Sequence, residues 1–169
     1  MKIEIVERKA FRIAGLHAKF ISILSADATN TNVIPHLWDA FMRNAGQVKN
    51  RVGSDMYGVI YASPLGERAH QDELNYIAGV EVSEPGGQPR DFVTREIPAG
   101  KFARVTHVGA LKNLKATLTA LYREALPAAK LEPAGVAEIE VYGKKFVLDK
   151  PDSEFDILVS VKPATKKAK

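Results

Sequence analysis

Two hairpin-like stretches of this 169-residue chain recur at one offset. Tyr57-Gly58-Val59-Ile60-Tyr61, with the run 72–82 behind it, is echoed by Glu138-Ile139-Glu140-Val141-Tyr142 and the run 153–161; 142 minus 61 and 161 minus 80 both give 81. Identity between the echoes is sparse: Tyr61/Tyr142, Glu73/Glu154 and Val80/Val161 are the matches. Chance likeness of two amphipathic hairpins therefore competes with duplication, and the shared order of elements favours duplication. The alignment sets Val59 against Glu140, so a join between two similar halves would carry one asymmetric carboxylate.

The elements follow from hydrophobic periodicity. The amino terminus alternates charged and apolar residues as a strand does, and residues 9–17 continue or follow that strand. A polar run at 25–32 offers helix caps at Thr31 or Asn32, with Pro35 in the first turn. Ile34, Leu37, Trp38, Phe41 and Met42 form one face of the helix, and Gly46 weakens its end. Strands follow at 56–62 and 74–82. The Pro/Gly-rich run 83–90 is the connection between the halves, and a strand at 92–97 leads into the second. That half repeats the order: a strand at 102–108, a helix with Leu111, Leu114, Leu118, Leu121, Tyr122 and Ala125 on one face that ends before Pro127, then strands at 138–142 and 155–161. The expected fold is α+β, a duplicated strand-helix-strand-strand module with an antiparallel sheet, two main helices and a central cleft. Its pseudo-repeats cover about 1–84 and 91–163, and a basic tail covers 164–169. His17 and His107 are expected to end the two opening strands as equivalents, which leaves about nine extra residues in the first half, a loop insertion of the kind loops tolerate.

Composition narrows the chemistry. No cysteine is present, which excludes disulfides, thiolate nucleophiles and cysteine-held metals and fits a reducing cytoplasm. No apolar run approaches the roughly 20 residues that span a bilayer, and the amino terminus lacks the apolar core of a signal peptide. Much of the net charge of +4 sits in the tail, while elsewhere Lys and Arg are interspersed with Asp and Glu, so neither direct nucleic-acid binding nor a membrane partner is expected. The four histidines, His17, His36, His70 and His107, show no metal-ligand spacing, and no phosphate loop or nucleophile elbow occurs; neither metal nor cofactor is expected.

Alternation along a strand puts Glu138, Glu140 and Tyr142 on one face, and the alignment gives Tyr57, Val59 and Tyr61 the equivalent face in the first half. Ile139, Val141, Gly58 and Ile60 would then lie under the helices, and the Tyr/Glu face would look toward the other half. A carboxylate among aromatic walls suits a lipophilic cation, because the rings supply area and negative faces and the carboxylate offsets desolvation, and Trp38 and Phe41 from the first helix are candidates for further walls. Each residue has a plainer reading too. Glu140 could be a strand-surface residue paired with Lys144 or Lys145, Trp38 and Phe41 could be helix core, and Tyr57, Tyr61 and Tyr142 suit any half-buried strand.

Four stretches, Ile34-Pro35-His36-Leu37-Trp38-Asp39-Ala40-Phe41, Tyr57-Gly58-Val59-Ile60-Tyr61, Ile97-Pro98-Ala99-Gly100-Lys101-Phe102-Ala103 and Ile139-Glu140-Val141-Tyr142, together resemble the GyrI-like small-molecule-binding domain. That is the effector-binding domain of AraC-type and MerR-type bacterial transcription activators, also found free-standing. The resemblance implies a pocket between two halves, with the family's glutamate and the tyrosine two residues later falling on Glu140 and Tyr142. It places aromatic pocket positions on Trp38, Tyr57 and Tyr61, with Phe102 a further candidate. One departure is the Gly-Pro-Tyr turn before the second helix, of which Val108-Gly109-Ala110-Leu111 keeps the glycine alone. The implied function is capture of a small lipophilic, cationic molecule. The alternatives are hydrolysis of reactive cyclopropane-type compounds by Glu140 and Tyr142, or contact with a protein partner such as DNA gyrase or the transcription machinery.

Overall fold

A computed structural model describes residues 1–165; the end of the basic tail, 166–169, lies outside the described residues. Eight strands form one antiparallel sheet: β1 Glu4–Arg8, β2 Phe11–Ile21, β3 Met56–Ala62, β4 Glu73–Val82, β5 Val93–Ile97, β6 Gly100–Val108, β7 Leu131–Tyr142 and β8 Glu154–Pro163. Their spatial order is β1-β6-β8-β7-β3-β4-β2-β5. The two halves meet at the centre, where β3 pairs with β7, and the order reads the same outward on both sides. The outermost strands are exchanged: β1 completes the second half on β6, and β5 completes the first on β2.

Helix α1, Asn30–Asn44, covers the first half of one face. It starts earlier than the caps at Thr31 and Asn32 predict, because Thr29 takes the N-cap position; its hydroxyl accepts the Ile21 N–H at 2.8 Å and so ties the helix to the end of β2. Pro35 consequently sits beyond the first turn. The second half is covered by α2, Leu114–Ala120, a π-helical turn Leu121–Ala125, and a last turn α3, Leu126–Ala128. The helix therefore runs through Pro127 instead of ending before it. The π turn widens the ladder just where proline has no N–H to give to residue 123.

Each half has its own helix-side core. Phe20, Phe41, Tyr76, Ala78 and Val80 pack under α1, while Val105, Leu118, Leu121, Phe155 and Ile157 pack under α2. The opposite face holds a third core, with Ile13, Tyr57, Val59, Ile77, Phe102, Ile139 and Leu158. Every member of it comes from a strand, so the sheet buries this face by curling over itself. Gly15 lies opposite Gly79, and a Cβ at Gly15 would come within 2.0 Å of the Ala78 carbonyl oxygen, so the close approach of the paired strands β2 and β4 needs glycine here.

The register corrects two expectations. Gly58 lies opposite Glu140 and Val59 opposite Ile139, and directly opposed residues share a face. Glu138, Glu140 and Tyr142 thus point to the helix side with Met56, Gly58 and Ile60, while Tyr57, Val59 and Tyr61 point away. The offset of 81 fits β4 and β8, whose helix-side residues alternate in step, but it is out of phase by one residue for β3 and β7. A one-residue slip exchanges every side chain between faces. His17 and His107 are likewise not equivalent: His17 pairs with Ile77 on the far face, and His107 packs 5.1 Å from Phe155 under α2.

Candidate ligand-binding site

Glu140 stands near the middle of the sheet, in the furrow between the two helices, and is 5% exposed. Its Oε2 accepts two hydrogen bonds, from the Tyr76 hydroxyl at 2.7 Å and the Tyr142 hydroxyl at 2.8 Å. The Trp38 indole N–H donates to the Tyr76 oxygen at 3.1 Å, so a relay from α1 crosses β4 to the carboxylate on β7. Gly58 makes the arrangement sterically feasible. A Cβ there would lie 2.0 Å from the Tyr76 hydroxyl and 2.5 Å from Glu140 Oε2.

Two residues farther along the same face, Glu138 accepts a hydrogen bond from the Tyr122 hydroxyl, which the π turn presents. Among the described residues neither carboxylate has a Lys, Arg or His within ion-pair distance. Loss of hydration pushes the Glu140 carboxyl above the usual range, against the pull of its two tyrosine donors. Glu138 is pushed up to about 7 by burial, held back by the Tyr122 hydroxyl, and raised further by the charge of Glu140. Tyr76 and Tyr142 shift well upward through burial and the neighbouring carboxylate, so they remain donors.

Two cavities border this pair, and a third lies against Tyr142. One of about 210 Å³ is bounded by Phe20, Ile60, Leu118, Tyr122, Glu138 and Glu140. A second, of about 150 Å³, opens where the β3–β7 ladder stops at Ile60 and Glu138 and β7 bulges between Pro133 and Glu138; it shares Ile60, Leu74, Tyr122 and Glu138 with the first. The third, of about 390 Å³, is almost wholly apolar and lies against Trp38, Met42, Met56, Leu111, Tyr142 and Phe146. Trp38 meets Tyr142 edge-on at 5.5 Å.

The structure therefore brings together Glu140, Tyr142 and Trp38 of the residues the sequence singled out. Phe41 is fully buried in the first helix-side core, 5.7 Å from Trp38 and 5.8 Å from Phe92. Tyr57 and Phe102 lie in the far-face core, where the Tyr57 hydroxyl donates to Glu81 at 3.1 Å. Tyr61 also points to that face, under the Arg95 guanidinium at 3.5 Å, and its edge borders the second cavity. The pairing of Glu140 with Lys144 or Lys145 is not formed; Lys145 pairs with Glu154 at 2.7 Å. Sequence reasoning missed Tyr76, Tyr122 and Gly58, and it counted Glu138 merely as a companion on the strand face. Alternation already carried Glu138, whereas the other three become visible only with the register. Among the described residues no group of three His, Asp or Glu is placed to hold a metal.

Residues 4–161 match the model of a family described as integron-associated effector binding protein. The chain belongs to this family of GyrI-like effector-binding domains. The transcriptional regulator BrlR of Pseudomonas aeruginosa is 29% identical over 164 residues, which are 95% of this chain but 56% of the regulator, so the chain spans little more than half of that relative. Among solved structures, SAV2435 bound to tetraphenylphosphonium superposes with a TM-score of 0.75 at 10% identity, over 96% of this chain and 94% of that one. An integron cassette protein from the mobile metagenome of Vibrio cholerae gives 0.64 at 17% identity, over 95% of each. At these identities the likeness is one of fold. Glu140 and Tyr142 lie on the central strand pair of this fold.

Proposed function

We propose that this effector-binding domain captures a small lipophilic cation in the furrow between α1 and α2, with Glu140 as its counter-charge. The observation that carries the reading is the carboxylate itself: buried, held by two tyrosine donors on one oxygen, and without a basic partner among the described residues. An isolated carboxylate in an apolar setting is costly, and an arriving cation offsets that cost. The aromatic walls add cation–π attraction of about 0.5–2 kcal/mol per well-placed ring. SAV2435 with its bound phosphonium supports the ligand class, since the chain shares its fold.

Size sharpens the picture. Ligand sites usually enclose about 300–1,000 Å³, and the cavity beside Glu140, at about 210 Å³, falls short of that. The cavity of about 390 Å³ against Trp38 and Tyr142 is within that range, and Tyr142, whose hydroxyl donates to Glu140, links it to the carboxylate. Trp38 is the sole tryptophan and so reports directly on entry. In a fluorescence titration, tetraphenylphosphonium is expected to quench Trp38, and the neutral triphenylphosphine oxide to bind at least about tenfold more weakly, a difference of about 1.4 kcal/mol. Equal affinity for the two would contradict the reading.

A second reading has one observation in its favour. Glu138, with a carboxyl pushed up to about 7, and Glu140 beside tyrosine donors have the form of a general acid and base, which a hydrolase of strained electrophiles would need. Mass spectrometry of a cyclopropane-type electrophile incubated with the protein separates the two, because a binder yields no product. The likeness to BrlR supports a protein partner in transcription as the recipient of the binding signal.

A further inference from the structure

One cation opposite Glu140 leaves Glu138 unexplained. Glu138 is a partly buried carboxylate that lines both the chamber beside Glu140 and the slot where β3 and β7 diverge. Its Oε2 is fixed by Tyr122, and no basic side chain among the described residues comes within ion-pair distance of it. Being two residues from Glu140 on one strand, it stands on the same face about 7 Å away along the chain. Two negative groups at that spacing in apolar walls repel each other, and a single positive charge satisfies one of them. The slot beyond Glu138 also gives an extended molecule somewhere to go, along Ile60, Leu74 and Pro133.

We propose that the site recognises a dication, an elongated apolar molecule with two ammonium-type centres about 7 Å apart, one at Glu140 and the other at Glu138. This rests on the cation-binding reading and specifies its ligand class. The π turn has a part in this geometry, since it aims Tyr122 at Glu138 from the helix that forms the roof.

Pentamethonium and pentyltrimethylammonium share a chain and differ by one charge, so comparing their affinities by calorimetry isolates the second carboxylate. The wild-type protein is expected to bind pentamethonium about tenfold or more tightly than the monocation. Glu138→Gln should remove that advantage and leave the monocation within about twofold, and Tyr122→Phe, which keeps the carboxylate but frees it, should lose part of it. A thermal melt of each variant checks its fold. If the monocation and tetraphenylphosphonium bind while pentamethonium shows no advantage, or if Glu138→Gln weakens both chains equally, the dication assignment is overturned and the cation reading stands. If no cation binds, both fall.

Discussion

At the residue scale the site is defined by what its carboxylates lack. Most buried acids in proteins are paired, and here tyrosine hydroxyls stand in for cations, which orients Glu140 and Glu138 without neutralising them. The ligand-free protein therefore bears a strain that depends on pH. Glu138 is pushed up to about 7 from its ordinary 4.5, so the folded state holds the proton more tightly than the unfolded chain does. Stability is then fullest below the unfolded value, falls as pH rises through the interval, and has lost its whole contribution above about 7, an effect of about 3 kcal/mol. Thermal melts should accordingly decline between about pH 4.5 and 7 and level off above that. Glu138→Gln should flatten that decline; a variant with the same slope would show that another group causes it. Glu140 was readable in the sequence as a candidate because alternation and the family motif both pointed to it. Its donor Tyr76 was not, since nothing local marks a strand tyrosine as a partner for a residue 64 positions away.

At the level of elements, the pairing of β3 with β7 decides which side chains meet. Alternation correctly grouped Glu138 with Glu140 and Tyr142, but the repeat offset then set them beside Tyr57 and Tyr61, on what is the wrong face. Sequence similarity between hairpins fixes register to within a residue at best, and one residue is enough to exchange the faces. The same limit explains the α1 boundary and the passage of the second helix through Pro127. Caps and breakers are weak local signals, overridden here by the Thr29–Ile21 tie and by the π turn. Gly58 is where register and site coincide. Gly58→Ala is expected to push Tyr76 and Glu140 apart, to destabilise the fold by about 1–3 kcal/mol as overpacked cores do, and to weaken cation binding. Unchanged stability with unchanged Trp38 fluorescence would show that the furrow is looser than the 2.0 Å approach requires.

For the molecule as a whole, two similar halves share one sheet and exchange their outer strands, so neither half is complete alone. The α+β class, the order of elements and the antiparallel sheet were legible from periodicity and the recurring hairpins; the exchange was not, because β1 and β5 are short and name no partner. Removing residues 1–9 should uncover the β6 edge and its ion-pair residues Arg104 and Lys101, giving a protein that self-associates by size-exclusion chromatography. A variant that stays monomeric with an unaltered melt would mean that β1 contributes little. The furrow itself lies at the central β3–β7 join, on which Glu138 and Glu140 sit. The claim that matters most is that this furrow is a cation site governed by one carboxylate. Calorimetric titration of tetraphenylphosphonium into the wild-type protein and Glu140→Gln is its most direct test. Binding weakened by about 10- to 100-fold, the loss of about 1.5–3 kcal/mol expected when a charged partner is removed, with the melt of the variant equal to or above that of the parent, is the predicted result. An unchanged affinity in a folded Glu140→Gln protein would contradict it.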